Sequence, residues 1–214
     1  MRVVVTAHSD EGSLVRRLLL IPIACCLLLV GTAATAQAKP RWWHHHAPAG
    51  SIVDVAVKAS SANGPDRNPY DYDLLIAAVT ATGLAPTLAD ESKTFTVFAP
   101  NDRAFKRLVA DLSGTYPASE QAALDAILAT FTVDQIRNVL LYHVVAGKKL
   151  SPLQVLFARS LTMANGGTIR PRGLSLRDET PGLRDPRLVL SGINIQATNG
   201  VIHTINRVLV PATP

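Results

Sequence analysis

The residues best suited to chemistry in this chain are its histidines, a short run of acids and one Tyr-His pair. Trp42-Trp43-His44-His45-His46 sets three imidazoles beside two indoles. Adjacent imidazoles hold a divalent metal only where the backbone enforces the ligand geometry. Here prolines and small residues surround them and predict a linker, so no metal site is expected. The indoles would suit a sugar ring or a membrane surface. His143 stands in Leu141-Tyr142-His143-Val144-Val145, and His203 in Val201-Ile202-His203-Thr204-Ile205. An imidazole inside an apolar segment is more often a satisfied structural group than a base. As bases, the two would serve a hydrolase through a scattered Ser–His–Asp set. Gly173-Leu174-Ser175-Leu176-Arg177 lacks the second glycine of a nucleophile elbow. P-loop, dinucleotide and HExxH patterns do not occur. Asp66, Asn68, Asp71 and Asp73 suggest a calcium loop, but the EF-hand pattern fails. Pro69 interrupts it, the turn glycine is missing, and Ala77 stands where the bidentate glutamate is needed. Turn and capping chemistry account for these acids. The expectation is therefore no catalytic residue, no cofactor and no metal.

Helices that could carry these groups come first. Ser51 caps a helix with Asp54 in its first turn, and Ile52, Val53, Ala56 and Val57 form its apolar face. Residues 63–69 read as a polar turn. A second helix starts at Asp71 or Asp73 and ends at Gly83, a C′ glycine. Thr94-Phe95-Thr96-Val97-Phe98 alternates with period two and predicts a strand closed by Pro100. Asn101 or Asp102 then caps a helix carrying Ala104, Phe105, Leu108 and Val109. A helix over about residues 119–129 follows, and Thr132-Val133-Asp134-Gln135 is a capping box for another. Ser151-Pro152-Leu153-Gln154 is a second box, with proline at the first helical position. Beyond residue 158 short strands are expected at 161–163, 168–170, 174–176, 188–190, 193–197 and 201–210. Asn165-Gly166 and Asn199-Gly200 are the hairpin signals between them. Helices first and strands last is an α+β pattern.

The chain has 214 residues, a formal charge of +5, 48% apolar and 17% charged residues. That mix excludes a disordered charged tail, and two cysteines exclude a disulfide scaffold. Arg16 and Arg17 precede an apolar run over residues 18–30, followed by Ala34-Thr35-Ala36 and Ala36-Gln37-Ala38. Positive charge, a short apolar core and an Ala-x-Ala site predict a secretory signal over residues 1–38. The run is shorter than the ~20 residues of a spanning helix, so no stable membrane span is expected after cleavage. Cleavage removes Arg2, Arg16, Arg17, Asp10, Glu11 and both cysteines, leaving 176 residues at +4. A linker over 39–50 and one domain over 51–213 are the expected organisation. Arg159, Arg170, Arg172, Arg177, Arg184 and Arg187 bias the second half toward anionic surfaces. Nucleic acid is not an expected partner of an exported chain.

Three blocks then carry a resemblance. Thr94-Phe95-Thr96-Val97-Phe98-Ala99-Pro100-Asn101-Asp102-Arg103-Ala104-Phe105 is the first. Leu140-Leu141-Tyr142-His143-Val144-Val145-Ala146-Gly147 is the second. Ala197-Thr198-Asn199-Gly200-Val201-Ile202-His203-Thr204-Ile205-Asn206-Arg207-Val208-Leu209-Val210-Pro211 is the third. In type, order and spacing they resemble the fasciclin domain, a secreted or surface adhesion module, over about residues 51–211. Asn206 departs from the family's usual aspartate, and residues 173–187 form a long insert. The resemblance implies an α+β wedge: helices of the N-terminal half packed over a mostly antiparallel sheet formed largely by the C-terminal half. It implies an exported, non-enzymatic module that binds a surface or matrix protein, with Tyr142 and His143 as the candidate binding residues. In animal relatives a Tyr-His pair and a nearby Asp-Ile motif are associated with integrin contact, and only Tyr142-His143 carries over. The alternative is a module for cell-wall or acidic polysaccharide, suggested by Trp42, Trp43 and the arginines.

Overall fold

The computed structural model describes residues 50–60 and 64–212. The expected signal over residues 1–38, the Trp42-Trp43-His44-His45-His46 string and Asn63 lie outside the described residues. Helix α1 (Ile52–Lys58) opens at Ser51, whose hydroxyl accepts from the Asp54 amide while Asp54 accepts from the Ser51 amide. This reciprocal box satisfies two amides that a helix start leaves bare. Helix α2 (Asp73–Ala81) has no such local cap. Its first amides, on Asp73 and Leu74, donate to the carboxylate of Asp102 at 3.1 and 2.9 Å. Gly83 ends it with a φ of 67°, the left-handed conformation a C′ position requires. A short helix α3 (Ala85–Ala89), not anticipated from the sequence, leads into strand β1 (Phe95–Pro100).

Asn101 caps helix α4 (Asp102–Ser113) by accepting from the Ala104 amide. Helices α5 (Glu120–Thr130) and α6 (Val133–Leu141) follow, the latter from the expected Thr132 box. Strand β2 (Val144–Ala146) and helix α7 (Pro152–Phe157), with its Ser151 box, complete the first part. Strands β3 (Leu161–Thr162), β4 (Thr168–Arg172), β5 (Ser175–Arg177), β6 (Ile195–Ala197) and β7 (Gly200–Ile205) make up the rest.

The strands form two sheets rather than one. Four pair in the order β2-β1-β7-β6 and three in the order β3-β4-β5. Most pairings are antiparallel, but the long central one, β1 with β7, is parallel over six residue pairs. Parallel neighbours need a crossover, and here the crossover is everything between the first and last signature blocks. All six residues of both strands are buried, because both faces of this sheet are covered. Phe95, Val97 and Ala99 face a core with the helices, including Leu74, Phe105 and Leu140. Phe98 and Ile205 join a second core with Tyr142, Ile169, Leu176 and Leu209.

Three expectations change in detail. The strand expected at 188–190 is a single bridge, Leu188 to Ile205, followed by a 3-10 turn over Leu190–Gly192. The strand expected at 201–210 stops at Ile205. Asn206 leaves the ladder because Arg107 donates to its carbonyl and its amide and side chain bond the Arg187 backbone. Gly200 does not adopt a positive φ. A Cβ there would lie 2.1 Å from the Phe95 carbonyl oxygen, so the glycine serves the close approach of β7 to β1. Its neighbour Asn199 is buried and ties three segments. Its oxygen accepts from the Ile52 amide at 2.8 Å, and its nitrogen donates to the Leu88 and Asp90 carbonyls.

Candidate functional site

Tyr142 and His143 follow the last turn of α6 and point inward, with exposures of 0% and 2%. The Tyr142 hydroxyl donates to the Thr168 carbonyl at 2.6 Å. The β3–β4 hairpin closes over its ring so tightly that a Cβ on Gly167 would sit 2.7 Å from it. Burial, and then Glu179 and Asp178, raise the Tyr142 phenol above its ordinary value. His143 bridges α6 and the chain end: Nδ1 donates to the Val139 carbonyl at 2.7 Å and Nε2 accepts from the Leu209 amide at 2.9 Å. Burial lowers its pKa from 6.5 to about 4.

His203 uses the opposite tautomer. Its Nε2 donates to the Leu150 carbonyl at 2.9 Å and its Nδ1 accepts from the Asn194 amide at 3.2 Å. Its ring packs against Phe98 at 5.9 Å between centroids, and burial lowers its pKa as well. All four ring nitrogens thus bond to backbone, and neither imidazole meets a hydroxyl or a carboxylate. A neutral, saturated imidazole has no lone pair left for a nucleophile's proton. The structure encloses both: Tyr142 lies in the second core, and His143 lies beneath the apolar residues of α6 and the chain end.

The insert over residues 173–187 contributes to this enclosure. Glu179 accepts from the Thr168 amide and hydroxyl, and Asp178 accepts from the Val210 amide at 3.1 Å. The Thr180 hydroxyl reaches the Val210 and Pro211 carbonyls. These bonds tie the insert to β4 and to the chain end.

Two surface features went unanticipated. The first is an apolar groove of about 270 Å³ walled by α4, α5, α6 and the closing segment. Leu108, Leu112, Leu124, Leu128, Val139 and Val208 are among its lining residues, and Leu112 and Leu128 are exposed. The second is a polar cleft of about 550 Å³ at the start of α4 and α5, lined by Arg67, Tyr70, Arg103, Lys106 and Tyr116, with Asp66 and Glu120. Tyr70 and Tyr116 are exposed, and Lys106 lies 5.2 Å from the Tyr116 ring centre. Arg103 and Lys106 are three apart on α4, a spacing that marks one helix face. The tyrosines come from loops, whose approach no sequence period records.

The fold and the enclosed Tyr-His block define a fasciclin-type domain. The chain matches the model of the Fasciclin domain over residues 71–211, and it belongs to that family. It is 30% identical over 140 residues to Protein sll1483 of Synechocystis sp., spanning 65% of this chain and 67% of that one. A second Synechocystis protein, sll1735, is 30% identical over 139 residues, spanning 65% of this chain and 89% of the other. The transforming growth factor-beta-induced protein ig-h3 of Sus scrofa is 27% identical over 165 residues, 77% of this chain but 20% of that protein. Among solved structures, a FAS1 domain pair from the insect cell adhesion molecule Fasciclin I aligns with a TM-score of 0.48 at 16% identity. It covers 76% of this chain and 51% of the pair. Among the described residues, no helix is long and apolar enough to cross a membrane.

Proposed function

We propose that this chain is an exported, non-catalytic interaction module that mediates adhesion at a cell surface or in an extracellular matrix through a protein partner. The observation that carries the reading is the apolar groove between α4, α5 and α6, where Leu112 and Leu128 stand exposed at the rim. Contiguous exposed apolar surface on a folded domain marks an interaction site. Family membership and the signal-like N-terminal pattern support the same reading. Tyr142 and His143 then act as scaffold that shapes the groove from behind, His143 being one of its lining residues. The test is capture of intact cells and matrix proteins by the purified chain. Leu112→Asp with Leu128→Asp should lower capture at least about tenfold, the scale of a lost hot spot. Unchanged capture by a folded double variant refutes the assignment of the groove.

The polar cleft favours a second reading, a module for acidic polysaccharide of a cell wall. Tyr70 and Tyr116 offer faces for sugar rings, and Arg67, Arg103 and Lys106 offer charge to carboxylates. An array of acidic and neutral glycans separates the two readings. Signal for acidic glycans that disappears in Tyr70→Ala and Tyr116→Ala favours the cleft, and a blank array removes it.

A further inference from the structure

At the base of the polar cleft five acids converge from three segments. Asp66, Asp71 and Asp73 come from the loop before α2 and its first residue, Asp102 from the start of α4, and Glu120 from the start of α5. One carboxylate oxygen each from Asp66, Asp71 and Asp73 lies within 4.8 Å of the others, and so does one each from Asp73, Asp102 and Glu120. Asp71, Asp73, Asp102 and Glu120 are buried, and Asp66 is exposed. The positions are held by backbone: the Asp102 amide donates to the Asp71 carbonyl, and the Arg103 amide to the Pro69 carbonyl.

An acidic cluster alone defines no site, and most of these oxygens have duties. Asp102 caps α2 with both oxygens. Glu120 accepts from the Asp66 amide at 2.7 Å. Asp71 accepts the Asn68 side-chain amide with Oδ2 at 3.1 Å. Its other oxygen, Oδ1, is buried with no hydrogen-bond partner, in a residue only 5% exposed. A buried carboxylate oxygen without a partner disfavours folding. No described ion pair reaches Asp71, Asp102 or Glu120; the described pairs are Lys93–Asp90 and Arg207–Asp111. A bound cation or a shared proton offsets such a concentration of charge.

We propose that the cluster binds one calcium-class divalent cation, held by Asp66, Asp71 and Asp73, with Asp102 and Glu120 on the inner side of Asp73. The donor set is all oxygen, which selects hard cations over zinc or copper. Calcium takes six to eight oxygens at about 2.4 Å, so oxygens that share one ion lie no more than about 4.8 Å apart, and the Asp66, Asp71 and Asp73 oxygens meet that limit. Carboxylate oxygens that already accept one N–H keep a second lone pair for the ion. The cleft lined by Asp66 and Glu120 provides the access path. Arg67, Arg103 and Lys106 on its rim weaken the attraction and place the affinity in the range of extracellular modules rather than cytosolic buffers. The cation would fix the loop before α2, which already bonds the starts of α4 and α5, and so shape the cleft above it.

The experiment uses the full chain, stripped with EDTA and titrated with calcium chloride. Calcium should bind one to one by calorimetry and raise the melting midpoint by several degrees, as a ligand of the folded state must. Terbium should bind the same place and luminesce on excitation of Tyr70 and Tyr116, and calcium should quench that signal by displacement. Asp71→Asn keeps the Asn68 contact and should weaken calcium at least about tenfold. Asp66→Asn, on the exposed side, tests the site without touching the core. The proposal is overturned by a folded wild type that shows neither heat nor a midpoint change with calcium, magnesium or manganese. It is equally overturned by a wild-type calcium response in Asp71→Asn. A flat calcium response together with a raised metal-free midpoint in Asp71→Asn also overturns it, since a shared proton then does the ion's work.

Discussion

His143 makes the stability of this domain depend on acidity in a calculable way. Its ordinary pKa of 6.5 falls to about 4 in the folded chain, because burial disfavours the imidazolium more than the Val139 carbonyl favours it. Above pH 6.5 the ring is neutral folded or unfolded, and its contribution is fully present. Between pH 6.5 and 4 the unfolded chain takes up the proton and the folded chain refuses it, so stability falls as the pH falls. Below pH 4 both states are protonated and the loss is complete. The difference of folded and unfolded values corresponds to about 3 kcal/mol, a large share of the ~5–15 kcal/mol that holds a typical domain together. His203 shifts in the same direction. Asp102, Glu120 and Asp178 are raised by burial and act oppositely, stabilising as acid protonates them. The single imidazole is therefore isolated by comparing the wild type with His143→Gln, whose amide can still donate to Val139 and accept from Leu209. Urea unfolding followed by circular dichroism at pH 7.5, 6, 5 and 4 measures both curves. The free-energy gap between them should shrink by about 3 kcal/mol from pH 7.5 to 4. A gap that stays constant across that range would refute the assignment of a buried, neutral His143.

Other consequences are as direct. Tyr142→Phe deletes the bond to the Thr168 carbonyl and should cost about 1–3 kcal/mol in urea unfolding, while capture of a surface partner by the folded variant stays unchanged; lost capture at retained stability would return Tyr142 to the binding surface. Asn199→Ala strands the Ile52 amide and the Leu88 carbonyl together and should lower stability by about 2–4 kcal/mol, measured the same way. Gly200→Ala forces a Cβ onto the Phe95 carbonyl oxygen, and should abolish the β1–β7 pairing; hydrogen exchange at the β7 amides reads this, and native protection there would contradict it. Phe98→Ala opens the second core and should cost about 3–5 kcal/mol by thermal or urea unfolding.

Local signals carried much of the architecture. Ser51, Asn101, Ser119, Thr132 and Ser151 all cap the helices that follow them, because a cap is settled within four residues of chain. Gly83 ends α2 for the same reason. The three signature blocks were legible as blocks, yet their roles were not. The Asn199-Gly200 pair read as a turn needing positive φ, whereas Gly200 answers to a strand about a hundred residues earlier. Tyr142 and His143 were candidate binding residues by resemblance, with exposure undetermined by the sequence, and their enclosure depends on the β3–β4 hairpin and on Leu209. The Asp66, Asn68, Asp71 and Asp73 loop failed the contiguous calcium pattern at Pro69, at the missing glycine and at Ala77, and its spacing carried no sign that Asp102 and Glu120 of later helices pack beside it.

By itself the sequence determined the class of fold, the starts of the locally capped helices and the family, since caps, strand alternation and short ordered blocks are short-range information. The tertiary structure alone decided the parallel union of β1 with β7, the saturation of both imidazoles, the apolar groove and the meeting of five acids. Each of these depends on groups far apart in the chain, whose free energies are set by what surrounds them after folding. A histidine in an apolar strand can be a base or a strut. The Leu209 amide and the Val139 carbonyl, delivered by two separate segments, make His143 a strut.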